Sequence, residues 1–262
     1  MNLNLNKKTA LVCGSTQGIG KATAIELALL GANVILLARD EVALKNTLCE
    51  LDVSNGQSHT FLCADFHQPH LLKEIIENFM AKQGALHILV NNTGGPPSGT
   101  IGNAKVEDFL QAFNDHLVCN HILTQAVLEG MKKEKYGRII NIISTSVKIP
   151  LKNLGVSNTI RAAVANWSKT LSNEVAPFGI TVNNVLPGAT LTGRLQNIIE
   201  NKSKNSGDSL NEIKKEMQGE IPLARFADPS EIANAVAFLA SPAASYITGI
   251  NLPVDGGRTG CL

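Results

Sequence analysis

An excess of charge of one sign is missing. Lys and Arg number 23 against 22 Asp and Glu in 262 residues, a formal balance of +1. That excludes a protein held to nucleic acid or to a membrane surface by a basic face. Apolar runs of transmembrane length are missing too. The first residues, "MNLNLNKKTALVCG", lack a secretory pattern, because a strand-like run follows the lysines at once. Cysteine pairs are missing. Cys13, Cys49, Cys63, Cys119 and Cys261 are odd in number and scattered, with no C-x-x-C. No metal site or disulfide framework is expected, and a reducing cytoplasm is the expected compartment. Repeats and breaks in composition are lacking as well, so residues 1–262 are expected to form one domain. Tyrosine is scarce, with only Tyr136 and Tyr246.

What is there is an alternation. Short apolar runs ("TALVCG", "NVILLA", "HTFLCA", "LHILVNN", "RIINIIS", "ITVNNVLP", "INLPVDGG") are separated by segments of helical period. Helices are expected from about His70, in a long segment ending near "KKEKYG", from about Leu154, and at "DPSEIANAVAFLAS". Strands of four to eight residues between helices predict an α/β fold. Its parallel sheet is expected to be covered by helices on both faces. One region, residues 192–220, is rich in Lys, Glu, Asn and Ser and reads as irregular. It is either a solvated excursion or a lid over a site at the strand ends, and its place in the fold favours the lid.

"VCGSTQGIGKATAIELA" puts Gly14, Gly18 and Gly20 between the first strand and the first helix. Glycine permits a tight turn and close approach of backbone to a pyrophosphate, and the helix N-terminus beyond offers free N–H groups. The turn Gly14, Ser15, Thr16, Gln17, Gly18, Ile19, Gly20 is thus a candidate phosphate cradle. Ala38 and Arg39 follow the second strand, 18 and 19 residues beyond Gly20. A carboxylate there would bind a ribose 2′-hydroxyl and select NAD. A guanidinium instead meets a 2′-phosphate and selects NADP. Asp40 is read as the cap of the next helix.

With these motifs the chain resembles the short-chain dehydrogenase/reductase family. "CADF" places Asp65 and Phe66 where the family contacts adenine. "LVNNTGG", with Asn92 and Gly94, is similar to the family's Asn-Asn-Ala-Gly. "PGATLT", with Pro187, Gly188, Thr190 and Thr192, is similar to the segment beside the nicotinamide. "ARFADPSEIANAVAFLASPAASYITGINLPVDGG" resembles the C-terminal segment of 3-oxoacyl-acyl-carrier-protein reductases. The resemblance implies a single-domain, Rossmann-like, doubly wound α/β sheet, hydride transfer between a nicotinamide and a small carbonyl or alcohol substrate, and a homotetramer. It also implies four catalytic positions. A serine bonds the substrate oxygen, and a tyrosine moves its proton. A lysine lowers the tyrosine pKa and holds the nicotinamide ribose, and an asparagine helps hold a water relay.

Ser144 matches the serine. Thirteen residues on, the tyrosine position carries Ser157, and four further the lysine position carries Arg161. The asparagine position, 21 residues before Gly137, falls on His116, with Asn114 and Asn120 close by. The i, i+4 spacing still sets Ser157 and Arg161 on one helix face. An apolar stripe of Ile160, Val164, Trp167 and Leu171 shares that helix. A serine hydroxyl is far less acidic than a tyrosine and needs a base. An arginine supplies charge but no proton. Losing a placed general acid costs on the order of 10²–10⁴ in rate. His116, titrating near neutrality, or Lys148 or Lys152 are conceivable substitutes. Tyr136 lies at the wrong end of the sheet and Tyr246 near the C-terminus. Three readings follow: an NADP(H)-dependent reductase with altered proton delivery, a nucleotide-binding sensor without turnover, and an assembly member kept for its fold. The intact cofactor motifs argue against the third, and Ser144 with the lid favours the first. Leu191, Leu195, Ile198 and Ile199 in the lid suggest an apolar or medium-sized substrate.

Overall fold

The computed structural model describes residues 1–261. Seven strands form one wholly parallel sheet: β1 Thr9–Cys13, β2 Asn33–Ala38, β3 Thr60–Cys63, β4 Ile88–Asn91, β5 Gly137–Ile142, β6 Ile180–Pro187 and β7 Asn251–Val254. Their order across the sheet is β3-β2-β1-β4-β5-β6-β7. It reverses direction between β1 and β4, and at such a switch point the strand carboxyl ends open a crevice for ligands.

The five inner strands are buried on both faces, while the edge strands β3 and β7 are partly exposed, and alternate side chains feed two cores. Ala10, Val12, Val34 and Leu36 pack one way, against Ala24, Leu27, Ile232 and Val236 of helices α1 (Gly18–Leu29) and α9 (Pro229–Ala240). Leu11, Cys13, Ile35 and Leu37 pack the other way, with Leu72, Ile76, Leu123 and Val127. Those partners come from α3 (Pro69–Met80) and α5 (Cys119–Glu134). Asp40 caps α2 (Glu41–Leu48) as expected, accepting from the Ala43 N–H at 3.0 Å.

A row of asparagines crosses the second face. Asn91, Asn141, Asn184 and Asn251 are register partners on β4, β5, β6 and β7. Each amide donates to the next: Asn91 to Asn141 at 2.8 Å, Asn141 to Asn184 at 2.9 Å, Asn184 to Asn251 at 2.8 Å. Asn141 also donates to Ser168 on α6 (Gly155–Val175) at 3.2 Å.

Two segments differ from expectation. The long helix before "KKEKYG" is broken: α4 (Val106–Phe113) passes through a π-helical turn, Asn114–Val118, before α5 begins. Residues 192–220 are not irregular. They form a helical pair, α7 (Gly193–Ser206) and α8 (Leu210–Gly219). Thr192 and Ser209 cap them, the latter in a reciprocal pair with Glu212. Leu195, Ile199 and Ile213 join Ile221 and Phe226 in a small core of their own. No helix among the described residues is long and apolar enough to cross a membrane.

Candidate active site

One cleft of about 1960 Å³ runs over the carboxyl ends of the strands. Its floor at one end is the glycine turn. Gly14 has φ +59°, and a Cβ there would stand 2.7 Å from Asn92. A Cβ on Gly20 would stand 2.1 Å from the Gly14 carbonyl. Only glycine fits either place. Asn92 ties the loop after β4 to this turn, donating to the Cys13 carbonyl at 3.2 Å. Gln17 leads into α1 with no side-chain cap, so the first N–H groups of that helix stay free for an anion. This cradle fits a dinucleotide pyrophosphate.

Most residues assigned from sequence meet in this cleft. Thr16, Gln17, Gly18 and Ile19 line it, as do Arg39, Asp65 and Phe66 further along. Asn92, Gly94, Pro187, Gly188, Thr190 and Thr192 line its centre. Three do not line it. Ser15 is fully buried under the turn, where its hydroxyl donates to the Leu37 carbonyl at 3.4 Å. Gly20 packs behind Gly14, and His116 is set back in the π-helical turn. Arg39 is exposed and forms no ion pair among the described residues.

Ser144, Ser157 and Arg161 line the other end. Ser144 ends the β5 connection, its hydroxyl accepting from the Ser146 N–H at 3.1 Å. Ser157 and Arg161 lie in α6, with 8% and 7% of their surface exposed, so both face inward. Ser157 has no basic partner within hydrogen-bond reach among the described residues, so nothing there takes its proton. Arg161 donates to the carbonyls of Ile142 at 2.9 Å and Thr93 at 3.4 Å. Burial, then Arg194, lowers its pKa to about 10, which leaves it a cation at neutral pH. Lys152 lines the cleft and Lys148 does not.

His116 is buried and hydrogen-bonded through Nδ1 to the Thr93 hydroxyl. Burial first, then Arg161 and Arg194, push its pKa down to about 2. The expectation that it titrates near neutrality is therefore not met. Its imidazole is neutral, and it braces Thr93, which in turn accepts from Arg161. Tyr136 is remote as expected: its hydroxyl donates to the Ala240 carbonyl at 2.9 Å.

The sequence reading missed Arg194. It stands in the first turn of α7 and reaches across the cleft to the carbonyls of Gly95 at 3.1 Å and Pro96 at 2.7 Å. A signal was present in "TLTGRLQ": a helix N-terminus disfavours a cation.

Comparison with known proteins agrees with this layout. Residues 14–259 match the family described as Enoyl-(Acyl carrier protein) reductase. NADPH-dependent reductase BacG of Bacillus subtilis is 32% identical over 97% of this chain and 98% of its own. 3-oxoacyl-[acyl-carrier-protein] reductase FabG of Vibrio cholerae is 36% identical over 97% and 98%. Among solved structures, YwfH, an NADPH dependent reductase involved in bacilysin biosynthesis, superposes with a TM-score of 0.92. It is 31% identical and covers 98% of this chain and 100% of that one. L-sorbose reductase from Gluconobacter frateurii, complexed with NADPH and L-sorbose, reaches 0.92 at 30% identity, covering both chains fully. The chain belongs to the short-chain dehydrogenase/reductase family of NAD(P)-dependent oxidoreductases.

Proposed function

We propose that this protein is an NADP(H)-dependent reductase of a small carbonyl substrate, similar to 3-oxoacyl-thioester reductases, with altered proton delivery. We place it in the cytoplasm as a homo-oligomer. The observation that carries the reading is the continuity of one cleft from the glycine turn and Arg39 to Ser144, Ser157 and Arg161. NADPH-dependent relatives support the cofactor. Bound NADPH supplies the hydride. The turn from Gly14 to Gly20 holds the pyrophosphate, Arg39 the 2′-phosphate, Asp65 and Phe66 the adenine. Asn92, Gly94 and the segment Pro187 to Thr192 border the nicotinamide, and residues 192–220 close over it as a lid.

Ser144 and Ser157 hydrogen-bond the substrate oxygen. Arg161 holds the ribose and offsets negative charge as hydride reaches the carbonyl carbon. The oxygen then takes its proton from water, because Arg161 does not release one and Ser157 lacks a base. The test is fluorescence titration with NADPH and NADH, followed by a panel of ketones and 3-oxoacyl thioesters. NADPH oxidation is expected. Arg39→Asp is expected to weaken NADPH by about 10-fold or more while sparing NADH. Equal losses for both would remove the 2′-phosphate role. Tight binding without NADPH oxidation by any substrate would favour a nucleotide sensor.

A further inference from the structure

Arg161 and Arg194 stand on two sides of one short loop. Arg161 holds the carbonyl of Thr93, Arg194 those of Gly95 and Pro96. Both residues line the cleft. Neither forms an ion pair with a carboxylate among the described residues. Their hydrogen bonds go to backbone carbonyls, which satisfy donors but bring no negative charge. We propose that these two arginines form a carboxylate-binding pair, and that the substrate is a medium-sized apolar molecule bearing a carboxylate. This rests on the reductase reading for the second reactive group of that substrate, its carbonyl.

Three features support an anion here. Two like charges border one cleft, Arg161 buried and Arg194 half-buried, and Arg194 is the second cause, after burial, of the depressed Arg161 pKa. Uncompensated buried charge is costly, and an arriving carboxylate removes the cost. Arg194 also pays against the dipole of its own helix, since it sits in the first turn of α7. Finally, each guanidinium has five N–H donors and spends two on carbonyls, so three remain on each, those of Arg161 shared between the nicotinamide ribose and the carboxylate. A planar carboxylate matches that fork.

The cofactor's phosphates have other partners, in the glycine turn and Arg39. The same cleft has apolar lining at Ile149, Leu151, Leu191, Leu195 and Ile198. A carboxylate on an aliphatic or alicyclic body fits such walls better than a sugar does.

The test compares cyclohexanecarboxylate with cyclohexanecarboxamide, which share a shape and differ in charge, by calorimetry on the NADPH-saturated protein. The carboxylate is expected to bind about 30-fold more tightly, the factor of charge-assisted hydrogen bonds. In Arg194→Met the preference is expected to fall to about threefold or less, with NADPH affinity held within about threefold of the starting protein. Arg161→Lys, which keeps the buried charge, is expected to retain the preference, and its melting curve reports that it folds. Equal binding of acid and amide overturns the proposal, as does an unchanged preference in Arg194→Met. Displacement of the carboxylate by NADPH overturns it too, because the arginines would then serve the cofactor's phosphates. If NADPH does not bind, the reductase reading fails. The acid-to-amide ratio of the nucleotide-free protein then decides the carboxylate pair by the same criteria.

Discussion

His116 shows how one residue links site and stability. Its imidazole is held neutral, with a pKa near 2 against an ordinary 6.5, by burial and then by Arg161 and Arg194. The unfolded chain titrates near 6.5, so below that pH it binds a proton that the folded state refuses. The stability that neutral His116 contributes is complete above about 6.5 and is lost as pH falls, at a slope approaching 1.4 kcal/mol per pH unit. His116→Asn removes the titrating group and introduces the residue type that the resemblance implies at this position. Urea unfolding from pH 7.5 to 4.5 checks this. The starting protein is expected to lose stability faster than His116→Asn below pH 6.5, and the two to run parallel above it. Parallel curves throughout would show that the imidazole gains its proton equally in both states. Of the site's residues, Ser157 and Arg161 were legible by counting from Ser144, because a helix fixes the i, i+4 relation locally. Arg194 was not, because its partners Gly95 and Pro96 lie almost a hundred residues away and no local period connects them.

At the scale of elements, the asparagine row decides how the second half of the sheet is held. Asn141 is its centre: it accepts from Asn91 and donates to both Asn184 and Ser168. Asn141→Ala leaves the Asn91 amide and the Asn184 carbonyl oxygen buried without those partners, and is expected to cost about 3 kcal/mol in urea unfolding. Asn251→Ala, at the half-buried end of the row, is expected to cost about 1 kcal/mol or less. Equal losses would mean that the row is not a connected network. The strands were legible because buried parallel strands read as continuous apolar runs. The row was not, since "VNN", "INI" and "VNN" name asparagines without saying which face each across the sheet; register follows from strand order, which is a long-range fact. The helices of 192–220 were hidden for a related reason. Their apolar residues are few, and only when Leu195, Ile199 and Ile213 meet Ile221 and Phe226 does burial repay helix formation. The π-helical turn has no signal in local propensity. It falls where His116 meets Thr93, a contact made across the fold.

At the scale of the whole molecule, the question is what covers α4. Val106, Leu110 and Phe113 follow one another at helical spacing and remain 68%, 61% and 41% exposed. Three large apolar side chains on one exposed helix face are unusual for a chain that works alone. The other face of the same helix, with Gln111 and Ala112, lines the cleft, and the turn that carries His116 follows directly. A neighbour on the outer face would therefore stiffen the inner one. Family resemblance implies a homotetramer, and this face is the candidate contact to test. Sedimentation is expected to find four chains of 27.9 kDa in one particle. Leu110→Lys with Phe113→Lys is expected to yield a smaller particle with unchanged far-ultraviolet circular dichroism, because neither side chain is buried within the chain. A monomeric starting protein would remove the tetramer. An unchanged tetramer in the double variant would move the interface elsewhere. If the smaller particle also binds NADPH more weakly, the outer face of α4 supports the site that its inner face lines.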